Sequence, residues 1–218
     1  MNICEPSARL VGFTQPDWRN DAEQLGQLSE LETAQDLIAY CARVSNPSNQ
    51  VNKETSEKLI RYLVKHKHWS PLEMASVTLE VTTTRDIARQ FLRHRSFSFQ
   101  EFSQRYADPR DMDDTFVLRE ARLQDTKNRQ NSVETDDEQL AKSWAMKQAQ
   151  IIFEAKMAYK WAIDNGIAKE QARAVLPEGN TKSVVIANGT QKEHIELAEQ
   201  CALEIAKVFP LIKEIISG

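Results

Sequence analysis

Glycine is missing from the long middle of this chain: none occurs from Leu28 through Asn165, and the whole sequence holds six. A glycine-rich phosphate loop, of the dinucleotide or the P-loop kind, is therefore excluded from that stretch. Any phosphate bound there must be held by side chains or by helix N-termini. Lysine is missing from a shorter window, with none between Lys67 and Lys127. Cysteine is scarce. Cys4, Cys41 and Cys201 are far apart, odd in number and without a Cys-x-x-Cys, so neither a disulfide framework nor a zinc knuckle is indicated, and a reducing compartment is expected. No apolar run is long enough to cross a bilayer, and the N-terminus lacks a basic segment leading into an apolar one. The expectation is a cytoplasmic, soluble protein without a membrane partner.

Arginine fills the lysine-free window: Arg85, Arg89, Arg93, Arg95, Arg105, Arg110, Arg119 and Arg122 all fall inside it, although the chain uses lysine freely elsewhere. The planar guanidinium gives bidentate hydrogen bonds to phosphate and stacks on flat rings, which an ammonium does not. For Arg85 and Arg119 a plainer role, snorkelling from a helix face, stays open. The net charge of −4 and the pI of about 5.7 disfavour binding to nucleic acid driven by overall charge. A reading in which the arginines and Phe97 and Phe99 hold a single strand is accordingly the weaker one, and no nucleic-acid polymer is expected as partner. The 218 residues suffice for one domain with a real core, and no repeat or linker divides them, so a single domain over 1–218 is expected.

The hydrophobic pattern places these residues. Ser7 to Phe13 reads as a first strand. Ser29-Glu30-Leu31-Glu32 is a capping-box pattern, and Leu37, Ile38, Cys41 and Val44 continue at helical spacing until Asn46-Pro47. A second helix is expected from about Lys53 to His66, a turn at His68-Trp69-Ser70-Pro71, and a strand from Ala75 to Thr83, where polar and apolar residues alternate. Thr84 to Leu92 reads as a short helix with Arg85, Arg89 and Arg93 at four-residue spacing. Extended chain should follow to Tyr106, then a short strand at Phe116 to Leu118. The polar run Gln124 to Thr135 reads as irregular. A long amphipathic helix at about 138–165 ends at Gly166, and a short one from Ala168 to Leu176 ends at Pro177. A C-terminal helix is expected at about 191–216. Phe97, Phe99 and Phe102 read as core, as do Cys41 and Cys201.

The densest chemistry lies in Arg93-His94-Arg95, seven further residues, and Ser103-Gln104-Arg105-Tyr106. So many planar donors suit a polyanionic, ring-bearing ligand. This run resembles the signature of the flavin-dependent thymidylate synthases, and the likeness continues outside it. Ala42-Arg43-Val44-Ser45 resembles the family's early helix end, and His66-Lys67-His68-Trp69-Ser70-Pro71-Leu72-Glu73 its His-x-(Ser/Thr)-Pro-x-Glu turn. Arg89-Gln90, the polar run Asp125 to Ser132, Ala172-Arg173-Ala174-Val175-Leu176-Pro177 and Gly189-Thr190-Gln191-Lys192-Glu193-His194 resemble further blocks in the family's order.

The resemblance implies an α/β (α+β) fold, an antiparallel sheet flanked by helices, in a homotetramer whose active sites are shared between subunits. It implies a methyltransferase that converts dUMP to dTMP with FAD as cofactor and with NADPH and methylenetetrahydrofolate as co-substrates. By likeness, Ser45, Ser70, Glu73, Arg93, His94, Arg95, Ser96 and Glu101 bind the flavin, with His68 at its ring. Gln90, Arg93, Glu101, Phe102, Ser103, Gln104, Arg105 and Arg173 hold deoxyuridylate, and His68, Arg105 and Arg173 carry catalysis. Arg105 and Arg173 can neutralise a dianionic phosphate, and Gln90 can read a uracil edge with one donor and one acceptor. No thiol is required. No metal is expected either, because His66 and His68 lack a third ligand at matching spacing. Ser103, outside any Gly-x-Ser-x-Gly elbow, suits phosphate binding better than nucleophilic attack. Glu101 could simply pair with an arginine.

One stretch departs from the family. Between Pro177 and Gly189 the relatives carry a longer block that contributes Asn and Arg contacts to flavin and an Arg to the nucleotide phosphate. This chain has only the eleven residues Glu178 to Asn188 there, with Lys182 as the only cation.

Overall fold

The computed structural model describes residues 2–17, 31–93, 97–105 and 115–189. Its elements are β1 (Ser7–Phe13), α1 (Ala34–Ala42), α2 (Ser56–Lys65), β2 (Val77–Thr84), α3 (Arg85–Phe91), β3 (Ser98–Glu101), β4 (Arg122–Gln124), β5 (Ser132–Glu134), α4 (Glu138–Asp164), α5 (Lys169–Ala172) and β6 (Lys182–Asn188). Short 3-10 turns occupy Pro47–Asn49, Ser70–Met74, Arg173–Val175 and Glu178–Asn180. The expected C-terminal helix, Ser29 and Glu30, and Cys201 lie outside the described residues.

Four strands form one sheet in the order β1-β2-β6-β3, and β4 and β5 form a separate antiparallel pair. Arg9 pairs with Glu80 and Thr14 with Ser76, rising numbers against falling ones, which is antiparallel pairing. The inward residues of β2 (Val77, Leu79, Val81, Thr83) and of β6 (Ser183, Val185, Ala187) are all buried, as suits the two central strands of the sheet. The fold is therefore the mixed helix and antiparallel sheet expected from the sequence. Among the described residues no helix is long and apolar enough to cross a membrane.

The chain divides into two compact units. One comprises Met1–Ser7, Thr82–Arg93 and Gln100–Val185, the other Ala8–Val81, His94–Phe99 and Ile186–Gly218. In the first, Ile152, Tyr159 and Ala162 of α4 pack with Phe116, Ala172 and Leu176. Fully burying a side chain such as Ile152 contributes about 1.5–3 kcal/mol. Gly166, at φ +77, terminates α4 as expected: its N–H donates to Ile163 O and that of Ile167 to Ala162 O, the paired bonds of a Schellman end. In the second unit, Ala34 and Ile38 of α1 pack with Ile60 of α2 and with Ala75.

Several boundaries differ from the sequence reading, each for a local reason. The cap of α1 is Thr33, whose Oγ1 accepts from Asp36 N while Asp36 Oδ2 accepts from Thr33 N, so the capping box sits a turn later than Ser29. Ala75 belongs to the helical core rather than to β2. The polar run Gln124 to Thr135 is not irregular. It holds the β4–β5 hairpin, whose loop is closed by Asp125 accepting from Lys127 N, Asn128 N and Asn131 Nδ2. Those bonds pull the Asp125 carboxyl below its ordinary range, the Asn128 N–H contributing most. The two strands are largely exposed, so no apolar alternation announces them. The segment Phe116 to Leu118 makes isolated bridges, Phe116 to Thr181 and Leu118 to Ile3, in place of a strand. The expected helix at Ala168 to Leu176 is a single turn of α5 followed by 3-10 backbone. Phe97 and Phe99 are half-buried and stack on each other, ring centroids 5.5 Å apart, and Cys41 too is only half-buried.

Candidate functional site

A cleft of about 330 Å³ opens within the first unit, between the start of α3, the turn after β3, α5 and the Glu178–Asn180 turn. Arg85, Arg89, Gln104, Glu170, Arg173, Glu178 and Thr181 line it. β3 delivers Glu101 at its end, and the chain then crosses to β6 through Phe102 N donating to Val184 O at 2.9 Å. That crossing presents Ser103, Gln104 and Arg105. Gln104 is buried, and Ser103 Oγ accepts from Arg105 N at 3.4 Å. Arg173, in the 3-10 turn after α5, donates from Nε to Glu170 O at 3.2 Å.

The arginines here are paired with carboxylates. Arg89 Nη2 lies 2.9 Å from Glu178 Oε1, and Arg105 Nη2 lies 3.1 Å from Glu170 Oε2. Arg85, buried at the start of α3, lies 3.6 Å from Glu101 Oε1 and 3.8 Å from Glu178 Oε1. Glu101 Oε1 also accepts from Ser183 Oγ at 2.9 Å. Of the residues expected to hold the nucleotide, the structure thus gathers Gln104 and Arg173 at the cleft, with Arg105 and Glu101 one ion pair removed. Gln90 and Arg93 are exposed on and just beyond α3, next in sequence to the lining rather than in it. Phe102 and Ser103 are half-buried beside it.

Of the residues expected at the flavin, Arg93 and Glu101 belong to the first unit, and Ser45, His68, Ser70 and Glu73 to the second. His94, Arg95 and Ser96 lie outside the described residues. Ser45, His68, Ser70 and Glu73 are all exposed. Ser45 follows α1, where buried Arg43 donates from Nη1 to Asn52 O and from Nη2 to Thr55 Oγ1 at 2.8 Å, pinning the loop that carries it. Burial lowers the Arg43 pKa from its ordinary value. His68 is set by the end of α2. The Lys67 N–H donates to Val64 O and the His68 N–H to Leu63 O, another Schellman end, with Lys67 at φ 58 where glycine is usual. The rings of Tyr62 and His66 stand 4.2 Å apart, and that of His68 lies edge-on to Tyr62 at 6.3 Å.

The sequence reading missed Glu170, Glu178 and Thr181 and left Arg85 open. Arg85 and Arg89 are legible as a four-residue pair, but their carboxylates come from other elements, and no local pattern marks them. Burial raises the thiol pKa of Cys4 and of Cys41, which disfavours the thiolate and makes both poor nucleophiles.

Comparison with known proteins follows the same lines. The family described as "Thymidylate synthase complementing protein" matches residues 27–211. A probable flavin-dependent thymidylate synthase of Paramecium bursaria Chlorella virus 1 is 42% identical over 221 aligned positions, covering 94% of this chain and 96% of its own. The alignment is longer than the 218 residues here, so that relative has residues with no counterpart in this chain. A flavin-dependent thymidylate synthase of Synechocystis is 41% identical over 94% of this chain and 96% of its own. Among solved structures, a UMP/dUMP methylase, PolB of Streptomyces cacaoi bound with 5-Br dUMP, superposes with a TM-score of 0.76 at 23% identity, covering 100% of this chain and 97% of its own. At that identity the likeness is one of fold.

Proposed function

The chain belongs to the flavin-dependent thymidylate synthase family, and from that premise we propose that it methylates deoxyuridylate at C5 to give thymidylate. One observation carries the assignment of the nucleotide site: Gln104, Arg173, Arg89 and Arg85 converge on a single cleft. A monophosphate dianion fits Arg173 and Arg89 of this set, because guanidinium forks meet phosphate oxygens in pairs.

Arg105 and Arg173 would exchange their contacts at Glu170 for the phosphate. Gln104, buried at the cleft, and Gln90 offer the paired donor and acceptor that a uracil edge requires. Glu101 accepts from a ribose hydroxyl or a base N–H. A cation near uracil O4 stabilises the negative charge that develops there as C5 reacts.

The family is flavin-dependent, and we assign FAD to Ser45, His68, Ser70, Glu73 and Arg93 together with His94, Arg95 and Ser96. Their hydroxyl, imidazole and guanidinium groups suit phosphates and a polar ring edge. Bound FAD, reduced by NADPH, would supply the hydride that completes a methyl group whose carbon comes from methylenetetrahydrofolate. Because Ser45, His68, Ser70 and Glu73 are exposed, a second subunit is needed to shield the ring from water. A homotetramer with shared sites meets that need. Met146, Phe153, Met157 and Trp161 of α4, 52–65% exposed and spaced to share one helix face, supply an apolar surface for it.

A second reading, a relative that binds nucleotide or flavin without turnover, is favoured by one feature only. The short Glu178 to Asn188 stretch carries no arginine. Release of tritium from 5-tritiated deoxyuridylate tests the choice, since methylation must replace the C5 hydrogen. Release that depends on flavin and folate supports the enzyme; bound nucleotide without release supports the second reading.

A further inference from the structure

Arg85 is the most buried arginine at the cleft, its side chain 8% exposed. Its backbone N–H donates to Thr181 O at 2.8 Å, which ties the start of α3 to the entry of β6. Its guanidinium stands between two carboxylates from separate elements, Glu101 at the end of β3 and Glu178 in the turn before β6. Both ion pairs, at 3.6 and 3.8 Å, are too long for hydrogen bonds, and Nη1 has no hydrogen-bond partner among the described residues. A buried charge left so loosely satisfied is costly, and a pair serving stability alone is expected to close to hydrogen-bond distance. The snorkelling role is excluded by the burial of the charged head itself.

Glu101 is approached from one side. Ser183 Oγ donates to Oε1 at 2.9 Å, and Arg85 Nη1 faces that same oxygen, so among the described residues both contacts fall on Oε1 and Oε2 is the oxygen offered to a ligand. Glu178, the other carboxylate beside Arg85, is the partner of Arg89 at 2.9 Å. We propose that Arg85 is a positioning residue of the nucleotide site, holding Glu101 by its inner oxygen so that the outer one accepts from the nucleotide. The proposal rests on the reading of this cleft as the deoxyuridylate site. It assigns no contact between Arg85 and substrate. Arg85 acts through Glu101, and the planar fork matters because one guanidinium must serve both Glu101 and Glu178.

The test is a double-mutant cycle on flavin-loaded protein, with deoxyuridylate binding measured by calorimetry for wild type, R85K, E101Q and R85K/E101Q. Lysine keeps the charge and loses the fork, so R85K is expected to fold and to retain flavin where R85Q strands two carboxylates. R85K should raise the deoxyuridylate Kd about tenfold, and add less than about twofold in the E101Q background, because coupled residues do not act additively. Unchanged binding by R85K overturns the proposal, as do effects that multiply independently in the double variant. An R85K protein that fails to fold assigns Arg85 to stability and overturns it equally. If wild type with bound flavin takes up no deoxyuridylate, the reading of the cleft falls first, and the proposal with it.

Discussion

Arg105 and Glu170, 65 residues apart in sequence, meet beside the cleft with Nη2 and Oε2 separated by 3.1 Å. Both side chains are about half exposed, at 58% and 47%, and a pair of that kind is worth under about 1 kcal/mol. A phosphate dianion, forming charge-assisted and bidentate bonds, displaces it readily. R105Q should therefore raise the KM for deoxyuridylate about 10–100-fold. E170Q, which frees the fork, should leave KM unchanged or lower it by up to about threefold, with little change in stability. Steady-state kinetics on the two variants check both signs.

Gln148 is the polar hinge of the first unit's core. It is 2% exposed, its Oε1 accepts from Arg119 N and Asn180 Nδ2, and its Nε2 donates to Arg119 O. Gln148→Leu fills the space but leaves those groups unpaired, at a cost of about 2–4 kcal/mol. Chemical denaturation should show the loss as a lower midpoint.

Lys67 occupies the left-handed region at φ 58 between His66 and His68. A non-glycine residue there costs about 1 kcal/mol, so Lys67→Gly should raise stability by up to that amount while keeping the Schellman bonds that place His68. A thermal midpoint lower than wild type would contradict this.

The apolar stripe of α4 gives the oligomer prediction. Phe153→Glu with Met157→Glu should shift the protein to smaller species in size-exclusion chromatography with light scattering, and activity should fall with the change in mass. Neither residue is buried in the single chain, so the monomer fold should survive.

The main chain architecture was legible where periodicity is strong. α4 and the Gly166 stop follow from spacing, because the helix buries one face and ends on a residue suited to its end, and β1 alternates exposed with half-buried residues. The β4–β5 hairpin was not legible, since it is held by Asp125 and its neighbours' amides instead of by buried apolar residues. Of the cleft lining, Gln104 and Arg173 are residues the sequence already singles out. Glu170, Glu178 and Arg85 could not, because their meaning comes from partners 16 to 93 residues away, brought together only by folding. The family likeness named Glu101 as a ligand residue; the structure adds Ser183, which donates to its Oε1, and Arg85, 3.6 Å from the same oxygen.

The most direct measurement is product formation by the purified full chain with FAD, NADPH, methylenetetrahydrofolate and deoxyuridylate, resolved by chromatography, with each component omitted in turn. Thymidylate that appears only in the complete mixture, and that is abolished by omitting flavin, is the result predicted. Protein that retains flavin and binds deoxyuridylate yet yields no thymidylate would contradict the account.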